Sequence, residues 1–229
     1  MEKKTVCIIG GGAAGLVSAI FAARNHASVI LLEQNEKPGR KLLATGNGRC
    51  NLTNTYQHPS CYHGRHPEFA WEVIQQFPMQ QTVAFFSKLG IYTRNRDGYL
   101  YPASLQASSV LEVLEAEARY LKVKIKCREQ VTDICACPDR EQGRWLVKTA
   151  SWQYPADSVI IACGSPASEI AGSCTFGYEL AKKLGHTLIK PLPALVPLVC
   201  KGSFFKKWAG VRAEGCVSLA VDRRIFREE

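Results

Sequence analysis

Two glycine-rich stretches lie close together near the N-terminus: GGGAAG at residues 10–15, and GRKLLATGNGRCNLTN at residues 39–54. The first has the spacing Gly10-x-Gly12-x-x-Gly15, which serves the close approach of a pyrophosphate to bare backbone amides. Gly10 permits a tight turn, Gly12 removes a side chain where phosphates approach, and Gly15 lets a helix pack closely on a strand. In the second stretch, Thr45-Gly46-Asn47-Gly48 can curve its amides toward an anion. Arg40, Lys41 and Arg49 can neutralise a diphosphate, while Asn47 or Asn51 can bond to the polar edge of a planar ring. Together the two stretches point to a flavin dinucleotide.

Those residues need a scaffold, and the flanking sequence supplies one. Thr5–Ile9 is a short β-branched apolar run, and Ala13–Arg24 takes up a helical pattern directly after the glycines. The helix N-terminus then offers free N–H groups and a partial positive charge to phosphates. A second apolar run, Ser28–Leu32, ends at Glu33, the position from which a carboxylate accepts hydrogen bonds from an adenosine ribose. A lone GxGxxG is weak evidence, because tight glycine turns occur in many α/β proteins. Strand before, helix after and acid at the next strand end make the case here. For the second stretch the alternative is a solvated basic loop, and the glycines argue against it.

At this point the chain resembles the two-dinucleotide-binding-domain flavoproteins. Its second glycine stretch is similar to the motif of the YhiN-like or BaiN-like (aminoacetone-oxidase-family) FAD-binding flavoproteins. The likeness continues through Asp97-Gly98-Tyr99-Leu100-Tyr101-Pro102, VIIACG at 159–164, Phe176-Gly177-Tyr178, Gly185-His186 and PALVP at 193–197, so it covers nearly the whole chain. The resemblance implies FAD as cofactor, surrounded by Gly10, Gly12, Ala14, Gly15, Glu33, Arg40, Lys41 and the loop Thr45, Gly46, Asn47, Gly48, Arg49, Cys50 and Asn51. It implies further that Val131 meets the adenine through its backbone and that Ala162 and Gly164 lie beside the cofactor. The activity implied is that of an FAD-dependent oxidoreductase, passing a hydride or electrons through flavin to a small organic substrate. Reduction of a conjugated enone is preferred to amine oxidation. NAD(P)H is expected only as a transient reductant, because a single dinucleotide fingerprint is present. No catalytic side chain is assigned: Tyr99 and Tyr101, beside Gly98 and Pro102, read as turn-packing residues.

The fold class expected is α/β, a Rossmann-like FAD-binding sheet with a small antiparallel excursion and the start of an inserted β-rich domain. Helices are expected at Glu68–Phe77, Met79–Leu89, Ser104–Leu121 and Thr175–Leu184. Further strands are expected at Val123–Cys127, Val131–Cys137, Trp145–Ala150, Ser158–Cys163 and Val217–Val221. Relatives of the resembled kind carry a second glycine-rich, flavin-contacting stretch near the C-terminus that has no counterpart before Glu229. The chain therefore reads as an N-terminal fragment, with residues 1–194 an FAD-binding domain lacking its C-terminal return and 195–229 the beginning of the inserted domain.

Composition bounds the remaining possibilities. A chain of 229 residues, 46% hydrophobic and 21% charged, can bury a sizeable core. It contains no run of about 18 apolar residues to span a membrane. The apolar run after Lys3 and Lys4 is interrupted by glycines too early for a signal peptide, so the cytoplasm is expected. The formal charge of +9 keeps nucleic acid in view, with a flavin-dependent tRNA-modifying enzyme as the rival to a small-molecule substrate. A truncated product without independent activity is the other alternative, and oligomeric state is not legible. Much of the basic excess is dispersed, as at Lys122, Lys124, Lys126 and Arg128, whose alternation describes one wet sheet face. The ten cysteines include no CxxC pair, which argues against a disulfide reductase. Cys50 reads as a structural thiol and Cys135 and Cys137 as packing residues. His58, Cys61, His63 and His66 lack the paired spacing of a structural metal site and read as surface, so no metal is expected. His186 reads as a helix cap.

Overall fold

The computed structural model describes residues 3–139, 141–166, 174–192, 201–208, 210–211 and 215–228. In chain order the elements are β1 (Thr5–Ile9), α1 (Ala13–Arg24), β2 (Ser28–Glu33), α2 (Arg40–Ala44), β3 (Thr53–Asn54), α3 (Pro67–Gln75), α4 (Met79–Lys88), β4 (Thr93–Arg96) and β5 (Tyr99–Pro102). They continue as α5 (Ala107–Tyr120), β6 (Lys124–Cys127), β7 (Val131–Ala136), β8 (Trp145–Thr149), β9 (Gln153–Ala156), β10 (Ser158–Ile161), α6 (Phe176–Lys183), β11 (Val217–Val221) and β12 (Arg224–Glu228). Contacts divide the chain into Met1–Ile189 and Lys190–Glu229. The PALVP stretch at 193–197 lies outside the described residues.

The larger unit is built on a four-stranded parallel sheet in the order β10-β1-β2-β6. Its central strands are covered on both faces, which is why they read as continuous apolar runs. Ile8, Val29 and Leu31 point into one core with Leu16 and Ile20 of α1 and Val110 and Leu114 of α5. Cys7, Ile9 and Leu32 point the other way, against Val131, Ile134, Val147 and Tyr154 of an antiparallel sheet, β7-β8-β9, and against Leu180 of α6. Sequence had indicated this antiparallel excursion before the last parallel strand, and the Rossmann-like α/β class holds. Helix α5 buries Ala107, Val110, Leu111, Leu114 and Ala118, spaced as one helical face, against α1.

Boundaries differ from expectation by a few residues for local reasons. The helix expected from Ser104 begins at Ala107, because Leu105 has φ +55 and the Ser104 side chain accepts from the Gln106 amide at 3.3 Å instead of joining the helix. A small sheet, β3-β5-β4, is absent from the sequence reading. Its strands are two to four residues long and β4 is TRNR, without any apolar alternation. Strand β9 was missed as well, since Pro155 speaks against a strand; it is tolerated because β9 lies at a sheet edge. Helix α6 ends in a Schellman motif. Gly185 at φ +91 donates its amide to Lys182 O at 2.9 Å, and the His186 amide donates to Ala181 O at 3.1 Å. The cap expected of His186 is thus made by its backbone.

In the smaller unit, Val217–Val221 pairs antiparallel with β12 as a two-stranded hairpin. Among the described residues no helix is long and apolar enough to cross a membrane.

One carboxylate ties the start of β10 to the start of β1: Asp157 accepts from the Thr5 amide at 2.7 Å and from Lys4 Nζ at 3.2 Å. The Thr5 amide first and Lys4 second hold its carboxyl below the ordinary carboxylate range. A depressed carboxylate contributes stability above the unfolded pKa and loses it as pH falls through the folded one. The melting temperature of Asp157→Asn should therefore fall below wild type near neutrality, and the gap should close in acid; a gap of constant size down to the lowest pH at which both fold contradicts this.

Candidate dinucleotide site

Over the C-terminal ends of β1, β2 and β10 lies a cavity of about 210 Å³. Its floor is the glycine turn. Gly10, at φ +107, donates to Leu32 O at 2.8 Å, and a Cβ there would stand 2.4 Å from Ala162 O. A Cβ on Gly15 would lie 1.8 Å from Gly10 O, so only glycine lets α1 sit this close to the turn. A Cβ on Gly12 would meet nothing within 4 Å, because it would project into the space above the turn. The first bond of α1 runs from Leu16 N to Gly12 O, and the amides ahead of it belong to the free N-terminal set of the helix. Ala13 and Ala14 are exposed, so among the described residues that set faces open space. Backbone thus requires glycine at positions 10 and 15, and position 12 faces open space.

At the end of β2, beside the turn, stands Glu33, 7% exposed. Its Oε2 accepts from the Gly11 amide at 2.7 Å, and its Oε1 accepts from the Asn35 amide at 2.8 Å and from Asn35 Nδ2 at 2.6 Å. A carboxylate offers about four acceptor positions, which leaves Oε2 one lone pair for a ribose hydroxyl. Asn35 Oδ1 in turn accepts from Arg40 Nη1 at 2.9 Å. Arg40 and Lys41 open α2, which the Gly39 amide fastens to Gly11 O at 2.9 Å; Gly39 sits at φ +80. Lys41 Nζ donates to Ser165 O, drawing the segment after β10 toward α2.

The structure brings together in one cavity Gly10, Gly12, Ala14 and Glu33, the basic pair Arg40 and Lys41, and the more distant Val131, Ala162 and Gly164. Gly15 lies beneath the floor. The loop Thr45–Asn51 does not line this cavity. It is a tight curl with left-handed backbone at Gly46, Asn47, Gly48 and Cys50. Within it Arg49 faces Tyr101, its guanidinium carbon 5.6 Å from the ring centroid, and its Nε donates to Gly46 O at 3.2 Å. Thr45 Oγ1 donates to Leu42 O at 2.6 Å. Asn47, Gly48 and Asn51 are exposed. Cys50 is buried in the core, and that burial pushes its thiol pKa up against a lowering bond to Thr45, which fits the structural thiol expected.

Several cavity residues were not foreseen. Gly11 counts as a free position in the glycine template, yet a Cβ there would come 3.0 Å from Glu33 Oε2 and 2.9 Å from Pro38 Cβ. Asn35 and Gly39 announce themselves only through a carboxylate and a loop that fold back in three dimensions. Cys163 lines the wall with its Sγ 3.6 Å from Ile9 O, and burial raises its pKa to about 11, so it adds no negative charge near an anion. Of the histidine-rich loop, His58 Nδ1 lies 2.8 Å from Ser60 Oγ and His66 Nδ1 lies 3.3 Å from Glu68 Oε1. Among the described residues no three His, Cys, Asp or Glu side chains gather around a possible metal position.

A parallel sheet, a glycine turn at the head of its first helix and an acid closing the second strand define a Rossmann-type dinucleotide-binding protein. The chain belongs to the family described as the HI0933-like protein Rossmann domain, whose model matches residues 4–224. It is 49% identical over 224 residues, 97% of this chain and 54% of the relative, to the 3-dehydro-bile acid delta(4,6)-reductase of Clostridium scindens. It is 30% identical over 191 residues to the ribosomal RNA dihydrouridine synthase of Haemophilus influenzae, covering 83% of this chain and 47% of that one. The chain spans about half the length of these relatives. Among solved structures, THI4 of Thermovibrio ammonificans matches with a TM-score of 0.50 at 16% identity, over 81% of this chain and 64% of that one, a likeness of fold alone.

Two variants separate the glycine packed on backbone from the one that faces open space. Gly15→Ala should cost more than about 3 kcal/mol in urea denaturation, because backbone must move. Gly12→Ala should cost at most about 1 kcal/mol, the difference between glycine and alanine at an N-cap, yet weaken ADP binding measured by calorimetry. Equal loss of stability in both contradicts the assignment. For the positioning residue, Asn35→Ala should weaken ADP about tenfold, the loss of one or two hydrogen bonds, and leave inorganic pyrophosphate nearly unaffected, since Asn35 bonds Glu33 at the end of β2 and not the glycine turn.

Proposed function

We propose that this cavity holds the adenosine diphosphate portion of FAD and that the chain is the nucleotide-binding part of a flavin-dependent reductase. The observation that carries the reading is the bare space above Gly12, a cradle a side chain would fill, with helix amides and Lys41 around it and Glu33 at the end of β2. The residues present fit the cofactor. Amides of α1 with Arg40 and Lys41 hold the diphosphate, Glu33 holds the ribose and Val131 meets the adenine through its backbone. Ala162 and Gly164 give the diphosphate room beside β10. Asn47 and Asn51 of the exposed Thr45–Asn51 curl bond to the ring edge. Residues 1–194 constitute this nucleotide-binding part and 195–229 begin a β-rich domain.

When bound, FAD supplies hydride or electron chemistry that no side chain can perform. The chain's residues bind, orient and shield. A name of a 3-dehydro-bile acid delta(4,6)-reductase and a name of a dihydrouridine synthase describe one kind of change, saturation of a C=C bond conjugated with a carbonyl. In that reaction a hydride adds to the carbon β to the carbonyl, negative charge develops on the oxygen, and a proton completes the product. We assign this chain the same reaction class on a small conjugated enone, with NAD(P)H as transient reductant and the cytoplasm as its place, where the free thiols of the nine described cysteines stay reduced. The greater identity to the bile acid enzyme favours the small-molecule substrate over an RNA.

The test is direct. The purified chain should take up FAD, competed by ADP, and with NAD(P)H under anaerobic conditions the flavin should be reduced and then reoxidised by a 3-oxo-4,6-diene steroid. Failure to bind either ADP or FAD at millimolar concentration overturns the reading, and reoxidation by uridine-containing RNA in place of the steroid transfers it to the RNA class.

A further inference from the structure

The antiparallel sheet β7-β8-β9 covers one face of the parallel sheet but stops short of β6. Ile30 and Leu32 pack into that interface, whereas their register partners on β6 are Lys124 and Lys126, both exposed. Beside them runs an open groove of about 660 Å³, walled by Trp152, Gln153, Tyr154 and Pro155. Trp152 is 67% exposed, a large apolar surface left in water. Its turn is braced. The Trp152 amide donates to Thr149 Oγ1 at 2.9 Å, and the Thr149 amide donates to Trp152 O at 2.9 Å. The one acid of the groove, Glu129, accepts from Ser151 Oγ at 3.1 Å, so part of its acceptor capacity is already used.

We propose that this groove docks single-stranded nucleic acid, with a base stacked on Trp152 and backbone phosphates paired with Lys124 and Lys126. Ammonium groups beside an exposed aromatic face are how single strands are held: cations follow the phosphates and the ring takes any base by stacking. A duplex hides its base faces and has nothing to offer the indole. The net charge of +9 draws a polyanion into encounter, and the braced turn presents the indole with little ordering left to be done. The groove shares only Glu129 with the nucleotide cavity, so this proposal goes beyond the reductase reading and stands apart from it.

The experiment is fluorescence anisotropy of a labelled single-stranded oligonucleotide about 12 nucleotides long, within the range one such platform accommodates, titrated with the 229-residue chain over a range of salt. Trp152→Ala should weaken binding about tenfold at fixed salt and leave the salt slope unchanged, and Trp152→Phe should recover most of the loss. The double variant Lys124→Gln, Lys126→Gln should reduce the slope of log K against log salt by about 1.4, two phosphate contacts at about 0.7 each. A duplex of the same sequence should be indifferent to Trp152→Ala. ADP affinity, read in parallel, should be unchanged in every variant, which separates this test from that of the reductase reading. Absence of oligonucleotide binding, binding unmoved by either set of substitutions, or equal losses for single strand and duplex in Trp152→Ala overturns the proposal.

Discussion

A buried carboxylate organises the nucleotide end of this molecule. Glu33 is the one charged residue among the described core, and a carboxylate taken out of water destabilises a fold unless donors replace its hydration. Three N–H groups do so, from Gly11 and from the backbone and side chain of Asn35. Each donor fixes something larger. Gly11 belongs to the turn after β1, Asn35 begins the excursion to α2, and the backbone of the same two acceptor-side residues receives the β6–β7 connection, with Glu129 N to Glu33 O and Arg128 N to Asn35 O both at 2.9 Å. The requirement that one charge be satisfied therefore holds the glycine turn, the end of β2 and the approach to β7 in a single arrangement.

Much of this was legible in the residues because it is local or periodic. Thr5–Ile9, Ala13–Arg24 and Ser28–Leu32 carry their structure in apolar runs and in the glycine spacing, and the positions of Gly10, Gly12 and Gly15 follow from what a Cβ would strike or leave open. The alternation of Lys124 and Lys126 with half-buried Ile125 and Cys127 was visible for the same reason. What could not be read depends on partners distant in sequence. The sheet β3-β5-β4 joins strands too short and too polar to show a period. Asn35 gains its importance from Arg40 and Glu33 together, and Gly39 from a bond to Gly11, none of which a spacing template encodes.

The two glycine stretches also differ in kind. In the first, glycines are required by close backbone approach, and substitution meets backbone atoms. In the second, Gly46 and Gly48 serve a left-handed curl that Asn47 and Cys50 share, and the curl is held by Cys50 N to Thr45 O at 2.9 Å, by Arg49 on Tyr101 and by the burial of Cys50. Arg49 is therefore a brace for its own loop, whereas Arg40 and Lys41 remain at the cavity. The Arg49 guanidinium finds an aromatic face and a carbonyl close to hand within its own loop.

Charge placement within the cavity also sets the direction in which a dinucleotide can lie. Lys41, bonded to the segment after β10, and the free amides of α1 supply positive charge on one side, and Glu33 supplies negative charge at the end of β2, where Arg40 is linked to it through Asn35. Reversing the ligand would set a phosphate against the carboxylate, and two unit charges about 5 Å apart at an effective dielectric of about 20 repel by about 3 kcal/mol. That is more than a hundredfold in population. Neutral thiols on the wall, Cys163 with its pKa near about 11 and Cys7 beneath at about 12, leave this polarity undisturbed across the physiological range. Orientation thus follows from a few fixed charges and amides, with no need for a side chain that recognises the ring at the far end.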